Sequence, residues 1–251
     1  MEVLKFKLSG KTAFFKKPDV NTYYYFTYGC IHKVALLGIF GAILGLKGYN
    51  EQSKDDDYPE FYEKLKELKV AIVPKNERGY IPKKVQIFNN SVGYASKEAG
   101  GNLIVKEQWL ENPCWEIYII DDGKVYPQLK ERLLNYKFKF IPYLGKNDHY
   151  ANITSVEIIN DFEDISENFK GNIDSIYLKN KGDILLEDDD DLEGDLLYEE
   201  EDWKYEEWLP IALDNKVNQY IKEPMAFTNM KVSLNGDAEI YNIDGKNIFF
   251  F

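Results

Sequence analysis

Two histidines, His32 and His149, lie beside the lysines Lys33 and Lys146. These residue types can cut RNA without a metal, or serve only as helix caps and surface groups. One base activates the 2′-hydroxyl, one acid protonates the leaving oxygen, and a lysine balances the phosphate charge. A second chemistry is written into KTAFFKKPDVNTYYYFTYG, residues 11–29. Here Lys11, Lys16 and Lys17 alternate with Phe14, Phe15 and tyrosines 23, 24, 25 and 28. Cations suit phosphates and aromatic rings suit unpaired bases, the combination that a single-stranded nucleic acid needs. Lys33 stands in the first turn of an apolar stretch, the unfavourable end of a helix dipole for a cation, and reads either as a contact for an anionic partner or as a solvated surface lysine.

Other chemistries lack a motif. Two histidines and two cysteines, Cys30 and Cys114, form no zinc spacing, and the DDDD run from Asp188 lacks the glycine and glutamate of a calcium loop. No GxxxxGK[ST], GxGxxG or GxSxG sequence occurs. No metal and no cofactor is therefore expected. Two distant cysteines, no signal-peptide pattern in MEVLKFKLSG and no membrane-length apolar run fit a cytoplasmic chain.

The net charge of −12 taken alone argues against nucleic acid, but its distribution reverses that inference. Residues 187–207 hold thirteen acidic side chains and one lysine, so the rest of the chain sums to zero. The first fifty residues carry seven lysines against Glu2 and Asp19. The basic excess thus sits at the N-terminal end. The acidic segment reads as a solvated loop or as a contact for a basic neighbour.

The elements that must position these groups centre on residues 31–46, IHKVALLGIFGAILGL. The uncharged run from Val34 to Leu46 is too short to span a bilayer and reads as a buried helix. Gly38, Gly41 and Gly45 fall on one side of it and suit the close approach of another backbone. Each costs roughly 1 kcal/mol of helix stability relative to alanine. Residues 3–8 alternate as a strand. A second helix, capped by the acids at 55–57 with Pro59 in its first turn, carries Phe61, Leu65 and Leu68, and residues 70–73 form a strand ended by Pro74. Gly100 and Gly101 suit a tight turn joining strands near 85–88 and 103–109, a basic hairpin carrying Lys83, Lys84 and Lys106. A buried strand at 115–120, a helix at 127–135 and a basic-aromatic strand at 136–143 lead into PYLGKNDHYANI, with Gly145, Lys146 and His149. Beyond residue 156 the pattern is mostly β, with Asp244-Gly245 marking a hairpin.

FKLSGKTAFFKKPDVN followed by HKVALLGIFGAILGL resembles the N-terminus of the CRISPR-associated Cas five family, in the RAMP superfamily. That family has a glycine-ended strand, a basic A-x-F-R-K-x-x-x-N loop and a P-R-T-A-L-L-G helix. Lys16 and Lys17 stand for the basic pair, Asn21 for the asparagine and Lys33 for the arginine. The middle of the chain looks like the subtype I-B branch, and PYLGKNDHYANI matches the glycine-containing loop. Residue His32 replaces a usual proline, and lysines replace arginines, which favours phosphate contact over bidentate base reading.

This resemblance implies an α+β, ferredoxin-like (RRM-related) domain over 1–155 with a projecting β-hairpin at 76–112, then a β-rich C-terminal part over 156–251. It implies a non-catalytic Cascade subunit for antiviral defence that binds the 5′ handle of the crRNA. The partners would be the Cas seven backbone subunit and the Cas eight large subunit, with target DNA nearby and no membrane. The expected RNA-binding residues are Lys11, Lys16, Lys17, Asn21, Tyr28, Lys33, Lys83, Lys84, Lys106, Trp109, Tyr143, Gly145 and Lys146. A precursor-crRNA endoribonuclease using His32, Lys33 and His149 is the alternative, as in the subtype I-C branch. An acidic protein-interaction module is the second.

Overall fold

The computed structural model describes residues 2–20, 23–185 and 201–251. Alternation in VLKFKLS makes β1 (Val3–Ser9), followed by the short β2 (Thr12–Ala13). Two helices come next, α1 (Lys33–Leu44) and α2 (Glu60–Leu65), then β3 (Val70–Pro74). β4 (Lys83–Asn89) and β5 (Ile104–Glu111) form a hairpin that leads into β6 (Cys114–Ile120). α3 (Tyr126–Leu134) and β7 (Asn152–Ile159) complete the first half.

Four of these strands make one sheet in the order β3-β6-β1-β7, with antiparallel neighbours throughout. Without the short β2, α2 and the β4–β5 hairpin, the chain runs β1–α1–β3–β6–α3–β7. That connectivity and strand order are ferredoxin-like, as expected. β7 carries this sheet to Ile159, across the expected boundary at 155. Leu4, Phe6 and Leu8 point into a core shared with both long helices, while Val3 packs on the opposite face.

The remaining strands are β8 (Glu163–Asp164), β9 (Lys170–Gly171), β10 (Tyr177–Leu178) and β11 (Gly182–Ile184). They continue with β12 (Lys204–Leu213), β13 (Tyr220–Thr228), β14 (Val232–Leu234), β15 (Glu239–Ile243) and β16 (Lys246–Phe250). They pair into small antiparallel sheets, β10-β13-β12, β11-β14-β9 and β16-β15-β8. β15 and β16 cover one end of the first sheet through Tyr241, Ile243, Ile248 and Phe250. Their turn uses Asp244 and Gly245, both at positive φ, as the dipeptide predicts. No described helix is long and apolar enough to cross a membrane.

Several local expectations change. β4 and β5 pair as read, but residues 90–103 form a longer connection with a 3-10 turn at Ala95–Lys97, so Gly100-Gly101 is not the hairpin's tight turn. α2 starts at Pro59 without a side-chain cap, so the acids at 55–57 do not cap it. Residues 136–143 are not a strand. They run along the end of α1, where Lys139 and Phe140 donate N–H groups to the carbonyls of Ile43 and Ala42. These last-turn carbonyls lack partners within the helix, so the pairing is what an external segment can offer them.

The glycines of α1 do not meet another backbone as expected. A Cβ on Gly41 would lie 2.6 Å from Cβ of Phe61 on α2, and one on Gly38 would meet nothing within 4 Å. Gly45 ends the helix in the left-handed conformation, at φ 82°. Gly41→Ala should destabilise the fold by about 1–3 kcal/mol through overpacking. Gly38→Ala should stabilise it by about 1 kcal/mol through helix propensity. Urea denaturation of the two variants reads both signs.

Candidate nucleic-acid interface

A groove of about 750 Å³ runs beside α1. One wall is the helix itself, with Ala35, Gly38, Ile39 and Ala42. The facing walls are Phe14–Lys16 from the basic loop, Phe140 and Tyr143, and the Gly145–Lys146 turn. A backbone contact joins these walls. The Phe14 N–H donates to the Leu144 carbonyl at 3.1 Å. Gly145 sits at φ 86°, and a Cβ there would lie 2.0 Å from the Phe14 carbonyl oxygen. Only glycine combines that conformation with that proximity.

The structure brings Lys16, Tyr143, Gly145, Lys146 and His32 to one groove. Lys16 is exposed, with its ammonium 4.2 Å from the Tyr25 ring centre. Tyr143 is 45% exposed and bridges to Tyr150, which is 70% exposed. Lys11 is exposed on the turn after β1. Gly10, its neighbour, lies against Leu144 and the Tyr150 carbonyl, so Lys11 follows the same edge.

Other expected binders are not part of this groove's lining. Tyr28 is 1% exposed, with its ring edge-on to His32 and Tyr220, so it offers no face to a base. Trp109 donates its indole N–H to Glu107 at 2.8 Å and packs against His149, which ties it into the interior. Lys33 does not line the groove. It is half-buried, its nearest charges belong to Glu67 and Lys69, and desolvation lowers its pKa to about 8. Lys106 is exposed on the hairpin face opposite Glu107. Lys84 pairs with Glu111 at 3.4 Å on the face shared with Trp109. Asn21 and residues 187–200 lie outside the described residues.

Two carboxylates that sequence reading did not single out organise the lysines. Glu207 Oε1 accepts from Lys17 at 2.7 Å, and its Oε2 accepts from the Gly29 N–H at 2.8 Å and the Tyr205 hydroxyl at 2.7 Å. Lys17, partly exposed, is thus tied to the described end of the acidic stretch. Lys83 ends nearby, and desolvation lowers its pKa despite the attraction of Glu207. Glu107, 5% exposed, takes Lys146 at 3.2 Å as well as the Trp109 indole. Sequence reading did not single out Phe140, Tyr150 or Tyr220 either. Tyr150 is the readable one of the three, because it follows His149 directly in the glycine-containing loop.

The histidines are not arranged as an acid–base pair. Nδ1 of His32 accepts the Ala35 N–H at 3.2 Å, which makes His32 the N-cap of α1. The ring is 3% exposed, and burial lowers its pKa to about 3. His149 is 2% exposed, its Nδ1 lies 2.6 Å from Thr12 Oγ1, and desolvation lowers its pKa also. Among the described residues, no group of three or more His, Cys, Asp or Glu side chains could hold a metal ion.

No family model matches the sequence, and no curated protein matches it. Solved structures do. A chain of a CRISPR RNA-guided surveillance complex aligns at a TM-score of 0.53 and 12% identity, covering 92% of this chain and 91% of that one. A CRISPR protein from Archaeoglobus fulgidus aligns at 0.49 and 10% identity, covering 99% and 98%. A chain of a type III-B Cmr-beta complex bound to cognate target RNA and AMPPnP aligns at 0.46 and 11%, covering 93% and 86%. The first of these shows a shared fold.

The buried His32 sets a pH dependence. The unfolded chain protonates this imidazole near its ordinary value of about 6.5, whereas the folded chain refuses the proton until about 3. Stability is therefore full above about 6.5 and falls as the pH drops, with a slope approaching 1.4 kcal/mol per pH unit for this one group, an order-of-magnitude figure. His149 adds in the same direction. Urea midpoints at pH 6.5 and 5.0 should show the loss. It should be smaller in His32→Asn, whose amide oxygen can still cap α1.

Proposed function

We propose that this chain is a non-catalytic subunit of a type I CRISPR interference (Cascade) complex, of the Cas five family and the subtype I-B branch. In this reading it holds the 5′ handle of the crRNA. The observation that carries the reading is the groove in which the basic loop and the Gly145 turn meet beside α1. Lys16 and Lys146 border it as cations, and Tyr143 offers a half-exposed ring. Single strands are bound by that pairing of charge and stacking surface, each stacked base contributing about 1–3 kcal/mol. The fold shared with a chain of an RNA-guided surveillance complex supports the assignment.

Cas seven and Cas eight subunits and nearby target DNA are the partners this reading supplies. The hairpin β4–β5 exposes Val85, Ile87 and Ile104, an apolar surface suited to such neighbours. Binding without cleavage is favoured by the histidines. One nitrogen of His32 is committed to a helix cap and burial lowers that ring's pKa to about 3, while His149 is buried and its pKa is also lowered by desolvation. Lys33 lies away from the groove.

Labelled repeat RNA incubated with the purified chain in EDTA tests the proposal. The RNA should be retained intact, with affinity falling steeply as salt rises. Lys11→Ala with Lys16→Ala should weaken retention and reduce the salt slope by roughly 0.7 for each phosphate no longer neutralised. Cleavage at one site, abolished by His32→Asn or His149→Gln, would replace the proposal with the endoribonuclease reading. An unchanged slope would remove the basic loop from the interface.

A further inference from the structure

We propose that β4 is a self-association edge: two copies of the chain pair their β4 strands antiparallel, with Gln86 of one opposite Gln86 of the other, and so join their hairpins into one sheet. This goes beyond the RNA-binding reading and does not rest on it, since no residue of β4 lines the groove.

The backbone of β4 has an open side. β4 is the outer strand in the order β2-β5-β4. The Asn90 N–H donates to the Leu103 carbonyl and the Glu111 N–H to the Pro82 carbonyl, both at 2.8 Å. Bonded and non-bonded pairs alternate along an antiparallel ladder, so the even-numbered residues of β4 turn their backbone groups toward β5. Val85 and Ile87 turn theirs outward. Tyr25 gives the same parity from the far side of β5. It bonds there to Lys106 and Gln108, the residues opposite Ile87 and Val85. Among the described residues, the N–H groups of Val85 and Ile87 and the Val85 carbonyl have no hydrogen-bond partner. The Ile87 carbonyl meets only the Gln86 side-chain amide, at 3.5 Å.

The edges of the main sheet are protected and this one is not. β3 is covered by backbone bonds to Phe251 and Ile176. β7 is bent by a bulge opposite Phe6, with Ser155 at φ 53°. Such a break discourages further pairing. β4 pairs with β5 without a bulge, and from Val85 to Asn89 it carries no charge and no proline. Val85 and Ile87 are 52% and 55% exposed. A regular, apolar, uncovered edge is the kind that takes another strand.

The sequence of β4, KKVQIFN, selects a second copy as that strand. With a two-fold axis at Gln86, Val85 of each copy faces Ile87 of the other. Each of these pairs exchanges two bonds through groups that already point outward. Lys83 then faces Asn89 and Lys84 faces Phe88, so apolar meets apolar and no lysine faces a lysine. An axis at Val85 would set Ile87 against Lys83, and one at Ile87 would set Val85 against Asn89. The register at Gln86 alone gives both exposed apolar residues an apolar partner.

Sedimentation velocity of the full chain, without RNA, should show a monomer–dimer equilibrium. Ile87→Pro removes an outward N–H and leaves the bonds to β5 in place. It should raise the dimer dissociation constant by about tenfold, through one bond lost in each of two pairs. Ile87→Lys, which leaves the backbone unaltered, should also raise it. Gln86→Cys with oxidised glutathione should give a disulfide-linked dimer, because the facing residues of a non-bonded pair lie within disulfide reach. Lys84→Cys, whose facing residue is Phe88, should not. A wild-type chain that stays monomeric at every soluble concentration would overturn the proposal. A dimer unchanged by both Ile87 variants would do the same, as would crosslinking through Lys84→Cys equal to that through Gln86→Cys. Each of these results leaves the RNA-binding reading standing.

Discussion

The structure of the site depends on one close contact, the backbone of Gly145 against the carbonyl of Phe14. A side chain at 145 would overlap that oxygen, and the residue's φ of 86° suits glycine alone. The contact, reinforced by the Phe14 to Leu144 hydrogen bond, draws the turn after residue 143 onto the basic loop. Both loops then face α1, whose apolar side is buried in the main core. Lys139 and Phe140 close the arrangement by bonding to the end of the same helix. The groove is therefore built from three segments distant in sequence, each fixed by backbone hydrogen bonds rather than by flexible side chains.

Charge is divided between architecture and groove. Lys17 and Lys146 are paired with Glu207 and Glu107, carboxylates that are 13% and 7% exposed at the side chain. Removing one member of such a pair leaves the other poorly solvated, so these lysines belong to the architecture as well as to any ligand. Lys11 and Lys16 are both exposed, and Lys16 lines the groove. Glu207 also explains how an acidic segment coexists with a basic loop in one chain. Its described end is a structural counter-charge for Lys17, and the net charge of −12 says little about the groove.

Much of the fold was legible because its signals are local. Alternation in VLKFKL, the glycine-punctuated apolar run of α1, Leu129 with Leu133 in α3 and the Asp244-Gly245 turn all act over a few residues. What was not legible depends on distant chain. Tyr28 looked like a stacking ring, but Tyr220 and His32 cover it. Trp109 looked exposed on a hairpin, but Glu107 and His149 engage it. Residues 136–143 alternate like a strand, yet the open carbonyls of α1 offered them better partners than a sheet edge did. Lys33 occupies the right place in the motif, but its half-buried side chain is not part of the groove's lining. Spacing tells which residues share a face; it does not tell which later strand will cover that face.

The central claim is that RNA lies along α1 between the basic loop and the Gly145 turn. Photocrosslinking with 4-thiouridine-substituted repeat RNA, followed by mass spectrometry of the attached peptides, tests it most directly. The account predicts attachment at Tyr143 and in the peptide containing Lys16. Attachment confined to the outer face of the β4–β5 hairpin or to strands β8–β16 would contradict it.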